Sequence, residues 1–145
     1  MSIPISKIRE EMRRRLIEST GIEPEKSLQI ENEIFDNLDK PFWIAEYCLG
    51  GAEVSKSKFR SRIASFLMEY DVISAEGTGS AVIDDICDKI SAAFDLNDPD
   101  KSCFKADNVD VVISNVSIER KTYAASYAKS VLLTIDLFSI PAPKG

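Results

Sequence analysis

The residue types that most often carry chemistry are thin in this chain. Histidine is absent from all 145 residues, which removes the commonest general base and metal ligand and rules out Ser-His-Asp and Cys-His catalysis. Gly77-Thr78-Gly79 follows a strand-like stretch and opens a helix-like one, where main-chain N–H groups can cradle a phosphate. A dinucleotide fingerprint needs a third glycine where Val82 stands, and the Walker lysine is missing, so a plain turn is expected. Asp95-Leu96-Asn97-Asp98-Pro99-Asp100 resembles a calcium loop only faintly. Pro99 sits where an oxygen ligand belongs and Asp100 where glycine belongs, so a helix-terminating loop is expected. Asp84 and Asp85 are adjacent on a helix and diverge. Asp110 and Asp136 could approach across strands, but read as solvent-facing carboxylates.

Cys48, Cys87 and Cys103 are odd in number and widely spaced, which reads as three reduced thiols rather than a disulfide or metal framework. No catalytic residue, cofactor or metal is therefore expected, and the chain does not read as an enzyme. Arg13-Arg14-Arg15 could bind an anion, but Glu10, Glu11 and Glu18 lie within helical reach, so a solvated face is expected. Trp43 and Tyr47 share one strand face. They could form a ligand platform, pack in the core, or meet a neighbouring subunit, where aromatic residues are enriched.

These groups must be positioned by an ordinary globular framework, with 44% hydrophobic and 29% charged residues. The net charge of −6 makes the chain a poor candidate for wrapping nucleic acid. There is no run of eighteen apolar residues and no signal-peptide pattern, so a soluble, non-exported protein is expected. Residues 1–140 read as a single α+β domain and 141–145 as a short C-terminal tail.

The organising stretch runs from Phe59 to Phe94. Ala64, Phe66, Met68, Tyr70 and Val72 alternate with Ser65, Glu69 and Asp71, which predicts a long strand. After the glycine turn, with Ser80 as helix N-cap, Ile83, Ile86, Cys87, Ile90, Ala93 and Phe94 form one face of a helix. An N-terminal helix carries the stripe Ile5, Ile8, Met12 and Leu16 and ends at Gly21. Strands are expected at Leu28 to Ile34, Phe42 to Leu49, Val109 to Ile118 and Tyr127 to Ile140. In the strand from Val109 to Ile118, Val112, Val116 and Ile118 oppose Val109, Val111 and Ile113. Gly50 to Lys58, Asn97 to Asn108 and Glu119 to Ala125 read as polar connections. The whole is a mainly antiparallel sheet of about five strands with two helices packed on one face.

The layout resembles the tail-terminator (tail-completion, minor tail) proteins of long-tailed, lambda-like bacteriophages. The residues that carry the resemblance are Glu31-Asn32-Glu33-Ile34-Phe35, the Pro41-Phe42-Trp43 strand, and the glycine turn before a helix ending in Ala93-Phe94. The resemblance implies a virion protein without catalysis, assembled in the host cytoplasm as a hexameric ring. Such a ring caps the tail tube, stops its polymerisation, and offers a docking surface to the head–tail connector or neck protein. DNA passes through without specific binding, which the acidic balance would suit. The interface residues guessed from charge and exposure are Trp43, Tyr47, Lys56, Lys58, Arg60 and Arg62. The alternatives are a head–tail connector or neck protein of similar fold and, less favoured, a small ligand-binding domain.

Overall fold

The computed structural model describes residues 3–31, 40–49, 62–75, 79–123 and 126–139. Ile8, Met12 and Leu16 recur every four residues and bury one stripe of α1 (Ile5–Thr20). Gly21 ends the helix in the left-handed region at φ 72°, donating its N–H to the Ile17 carbonyl. The second long helix, α3 (Ala81–Ala93), buries Ile83, Ile86, Cys87, Ile90 and Ala93, with Phe94 fully buried at its end. That face is the expected one. Ser80 does occupy the N-cap position, but it makes no side-chain cap hydrogen bond.

Two further helices are single turns, α2 (Pro24–Ser27) and α4 (Pro99–Ser102), each opened by proline in its first turn, where the missing N–H is not needed. The strands are β1 (Leu28–Ile30), β2 (Phe42–Leu49), β3 (Arg62–Ser74), β4 (Cys103–Ala106), β5 (Val109–Tyr123) and β6 (Ser126–Ser139). They form one sheet in the order β1-β2-β3-β6-β5-β4, in which β1 runs parallel to β2 and every other neighbour is antiparallel.

The α+β class is as expected, but among the described residues the sheet is mixed and has six strands, and there are four helices. The stretch read as a polar loop from Asn97 to Asn108 holds α4 and β4, and the connection read from Glu119 is strand as far as Tyr123. Residues 119–123 carry polar side chains without apolar alternation and are held by the main-chain ladder, whereas β4 turns Phe104 and Ala106 inward but is only four residues long. Strand β1 stops at Ile30, short of Ile34, and residues 32–39 lie outside the described ones, as do the Gly50 to Lys58 connector and the 141–145 tail.

One face of the sheet packs with α1 and α3. Ile44, Phe66, Met68, Val72, Val111, Leu133 and Ile135 join the helix stripes in a single core. The other face carries a small second cluster of Ala45, Ile73 and Ala128, with Trp43 and Tyr47 against it. In β5 the register shifts between Ile113 and Asn115. That bulge returns Val116 to the core face opposite Leu133, correcting the expected grouping of Val116 and Ile118 with Val112. Between β4 and β5, Asp107 takes a positive φ of 52°, as a two-residue hairpin requires, and Lys7 of α1 pairs with it at 2.6 Å.

Leu133 is fully buried at the centre of this core. Leu133→Ala is expected to lower unfolding stability by about 2–5 kcal/mol, through lost transfer energy and a residual cavity. Urea denaturation should show a lower midpoint at unchanged slope.

Candidate functional site

Two charge centres lie on opposite sides of the sheet. The first is beneath α1. Glu46 is the one acidic residue in β2 and points toward the helices, where its side chain has no exposure to solvent. Arg9 and Arg13, four apart on α1, meet it from above. Arg13 donates from Nε to Oε2 at 2.8 Å and from its terminal nitrogen to Oε1 at 3.0 Å. Arg9 donates twice to Oε1, at 3.2 and 3.1 Å. Glu31 lies 3.9 Å from Arg9 and accepts the Cys48 N–H at 3.3 Å. Tyr70, opposite Glu46 in the ladder, has its phenol held well above the ordinary range, first by burial and then by the nearby carboxylate.

On the far face, Asp71 is also fully buried and accepts the Ser130 hydroxyl at 2.6 Å. Lys121 reaches it at 2.8 Å and Glu69 at 2.7 Å. Burial works against the Lys121 ammonium, but its hydrogen bonds to Asp71 and Glu69 outweigh that and raise its pKa above the ordinary lysine value. Burial raises the Glu69 carboxyl, and neighbouring Asp71 adds to the effect. An ammonium held protonated cannot abstract a proton. Asp71 and Ser130 are both buried, and with Lys121 they tie β3, β6 and β5 together within the sheet.

Beside it runs an apolar strip. Across β2 and β3, Trp43 faces Ile73, Tyr47 faces Glu69, and Leu49 faces Leu67. Trp43 and Tyr47 are half-buried, whereas Leu49 and Leu67 are exposed at 40% and 37%. The Lys121 ammonium lies 5.9 Å from the centre of the Tyr47 ring.

Of the guessed interface residues, the strip brings Trp43 and Tyr47 together. Arg62 pairs at 3.7 Å with Asp136 on its own sheet, while Lys56, Lys58 and Arg60 lie outside the described residues. The arginine run is not one solvated face. Arg14 bonds Glu11 and Glu18 as expected, but Arg13 belongs to the Glu46 clamp. Arg15 bonds the Asp100 and Lys101 carbonyls and lies 4.8 Å over the Phe104 ring. Arg14 and Arg15 line an open cleft of about 370 Å³ with Glu18, Ser19, Asp100 and Lys101, in which both guanidinium groups already have these partners.

Asp95 and Asp98 turn back on their own backbone, accepting from the N–H groups of Asn97 and Asp100. Among the described residues no group of three possible ligands could hold a metal. Gly79 has a φ of +89°, and the preceding Gly77 and Thr78 are not among the described residues. Asp84 and Asp85 do diverge, to Lys129 and Lys89. Asp110 and Asp136 are diagonal neighbours, opposite Phe138 and Val112 respectively. All three cysteines are free thiols.

The Glu46 clamp was missed from sequence, although a lone glutamate in an apolar strand and two arginines four apart were the available signal. Lys121 was hidden by the reading of its segment as a connection.

No family model matches the chain, and no curated protein does. A solved structure of a protein without a stated function is similar over 97% of this chain and 100% of its own, with a TM-score of 0.72 and 17% sequence identity. That likeness shows a shared fold. No described helix is long and apolar enough to cross a membrane.

Glu46→Ala leaves two guanidinium groups at a half-buried site without their carboxylate. It is expected to cost about 3–5 kcal/mol by urea denaturation, whereas Glu18→Ala on the exposed side of α1 should barely move the midpoint. At alkaline pH, burial pushes the Cys87 thiol from 9.0 up to about 11. Because the folded value is the higher one, stability should be full below pH 9 and fall as pH rises toward 11, with Tyr70 adding the same sign above its ordinary 10.0. Thiol titration at pH 8 should label exposed Cys103 first and Cys87 last.

Proposed function

We propose that this chain is a structural virion protein without catalytic activity: the tail terminator of a long-tailed bacteriophage, a ring subunit that caps the tail tube. The observation that carries the reading is the strip on the far face of the sheet. Leu49 and Leu67 form an exposed cross-strand pair next to half-buried Tyr47 and Trp43. Two exposed leucines in register, continued by aromatics, are the composition of a contact surface rather than of a solvated one. The resemblance of the chain's layout to tail terminators says what would meet it: further copies, the tail tube protein, and the head–tail connector or neck protein. The net charge of −6 supports a ring through which DNA slides without being held. No residue is assigned to catalysis, a cofactor or a metal.

The test is a low-resolution image of particles carrying this subunit with a label. A six-fold ring at the neck-proximal end of the tail tube is expected. A label placed elsewhere in the neck would favour a connector instead, and a monomer under all conditions, tube ends included, would reject the reading. The double variant Leu49→Asp with Leu67→Asp should retain its circular dichroism spectrum but lose assembly at least about tenfold by sedimentation, as burying two unpaired charges at a contact would require. Arg62→Glu is a poorer probe, because it also breaks the pair with Asp136.

A further inference from the structure

The strand register leaves one long run of main chain with a neighbour on one side only. β4 covers β5 from Val109 to Val112, whereas β6 accompanies it to Tyr123. Among the described residues, the outward side of β5 from Ser114 to Tyr123 meets no strand. Such an edge offers alternate N–H and C=O groups as a template for an added strand. The bulge between Ile113 and Asn115 lies where β4 gives way, and beyond it the pairing with β6 is regular from Asn115 to Tyr123.

One of the charges that would ordinarily guard this edge, Lys121, is engaged within its own sheet. Lys121 lies across its own sheet on Glu69 and Asp71, at 2.7 and 2.8 Å. The Arg120 guanidinium sits over the Tyr127 ring, 5.6 Å from its centre. Midway along the run Ile118 is exposed.

We infer that this edge is the joint between neighbouring copies, with β5 of one copy taking up β1 of the next so that two sheets continue as one. The inference rests on the ring reading, since a ring repeats one head-to-tail contact between two different surfaces of the same chain. The two surfaces are at hand, because β1 and β5 with its short companion β4 lie at opposite ends of the sheet. Their polarity agrees as well. From β5 through β6, β3 and β2 each strand reverses, and β1 then follows β2 in parallel, so β1 runs opposite to β5. Two copies facing the same way therefore meet as an antiparallel pair, the slightly more stable ladder per residue. The charges are complementary. Glu25 of α2 and Glu31, just after β1, are exposed beside that edge, and Arg120 is the exposed cation on the open stretch of β5.

Amide hydrogen exchange on the full chain, diluted to monomer and then assembled, tests the joint. Amides in residues 114–123 and 28–30 should exchange at least about tenfold more slowly in the assembly, as newly formed ladder hydrogen bonds would require. Arg120→Glu should weaken assembly about tenfold while leaving the monomer's spectrum unchanged. If assemblies form with both segments exchanging as fast as in the monomer, the joint is wrong and the ring reading stands. If no assembly forms at any concentration or on tube ends, the ring reading fails and the joint with it.

Discussion

A carboxylate without access to water sits under the N-terminal helix, and much of the architecture follows from the need to hold it. Removing a charge from water costs several kcal/mol unless partners and hydrogen bonds replace the lost hydration. Glu46 receives four N–H donors from Arg9 and Arg13. The requirement works in both directions. Slipping β2 by one residue would turn Glu46 to the far face and put Ala45 beneath the arginines, so the ion cluster fixes the strand's register as firmly as the apolar pattern does. Turning α1 by one residue would carry both guanidinium groups off the carboxylate while moving Ile8, Met12 and Leu16 out of the core. Strand and helix are locked by one interaction that tolerates neither error.

The same helix is tied to the rest of the sheet's rim. Lys7 reaches Asp107 in the β4–β5 turn, Arg15 reaches the carbonyls of α4, and the Ser19 hydroxyl donates to the Lys89 carbonyl at the end of α3. Each contact is modest and partly screened by water. Together they fix where α1 lies over a sheet whose longest strands are β3, β5 and β6. The far face has no described helix of this kind. There the second buried carboxylate, Asp71, is satisfied from within the sheet by Ser130 and Lys121. That arrangement leaves the apolar strip of β2 and β3 available for an outside partner.

How much of this was legible depended on which force set each element. The stripes of α1 and α3 and the alternation of β3 and β6 were readable, because burial of one face writes a period into the sequence. The last third of β5 was not, since its polar side chains carry no such period, and β4, with only Phe104 and Ala106 turned inward, is too short to show one. The bulge after Ile113 moved Val116 by one position, a shift invisible to an alternation count. Among candidate site residues, Trp43 and Tyr47 could be placed on one face from spacing alone. Glu46 with Arg9 and Arg13 could not, because the pairing joins segments more than thirty residues apart, and nothing local says which helix covers which strand. Arg62 looked available from sequence because its partner, Asp136, lies on a strand that pairs with β3 only in the folded sheet.

The distribution of charge bears on the proposed role more than its total does. Arg9, Arg13, Arg15, Lys121 and Lys129 point into the molecule and are at most half-exposed, whereas Glu10, Glu18, Glu25, Asp85, Asp88 and Glu119 are exposed. Several of the exposed cations, Lys7, Arg14, Lys26 and Lys89, lie beside a carboxylate of their own. At these four described residues a polyanion meets cations that are already neutralised, which leaves counterion release, the main source of affinity for DNA, less to work on there. Lys101, Lys105 and Arg120 are exposed too, but lie on α4, β4 and β5 and make no single basic face. A subunit built this way holds its cations for internal joints and turns an acidic exterior outward. That suits the proposed ring around DNA better than a protein that grips it, and in such a ring the burden of assembly would fall on apolar contact and main-chain hydrogen bonds.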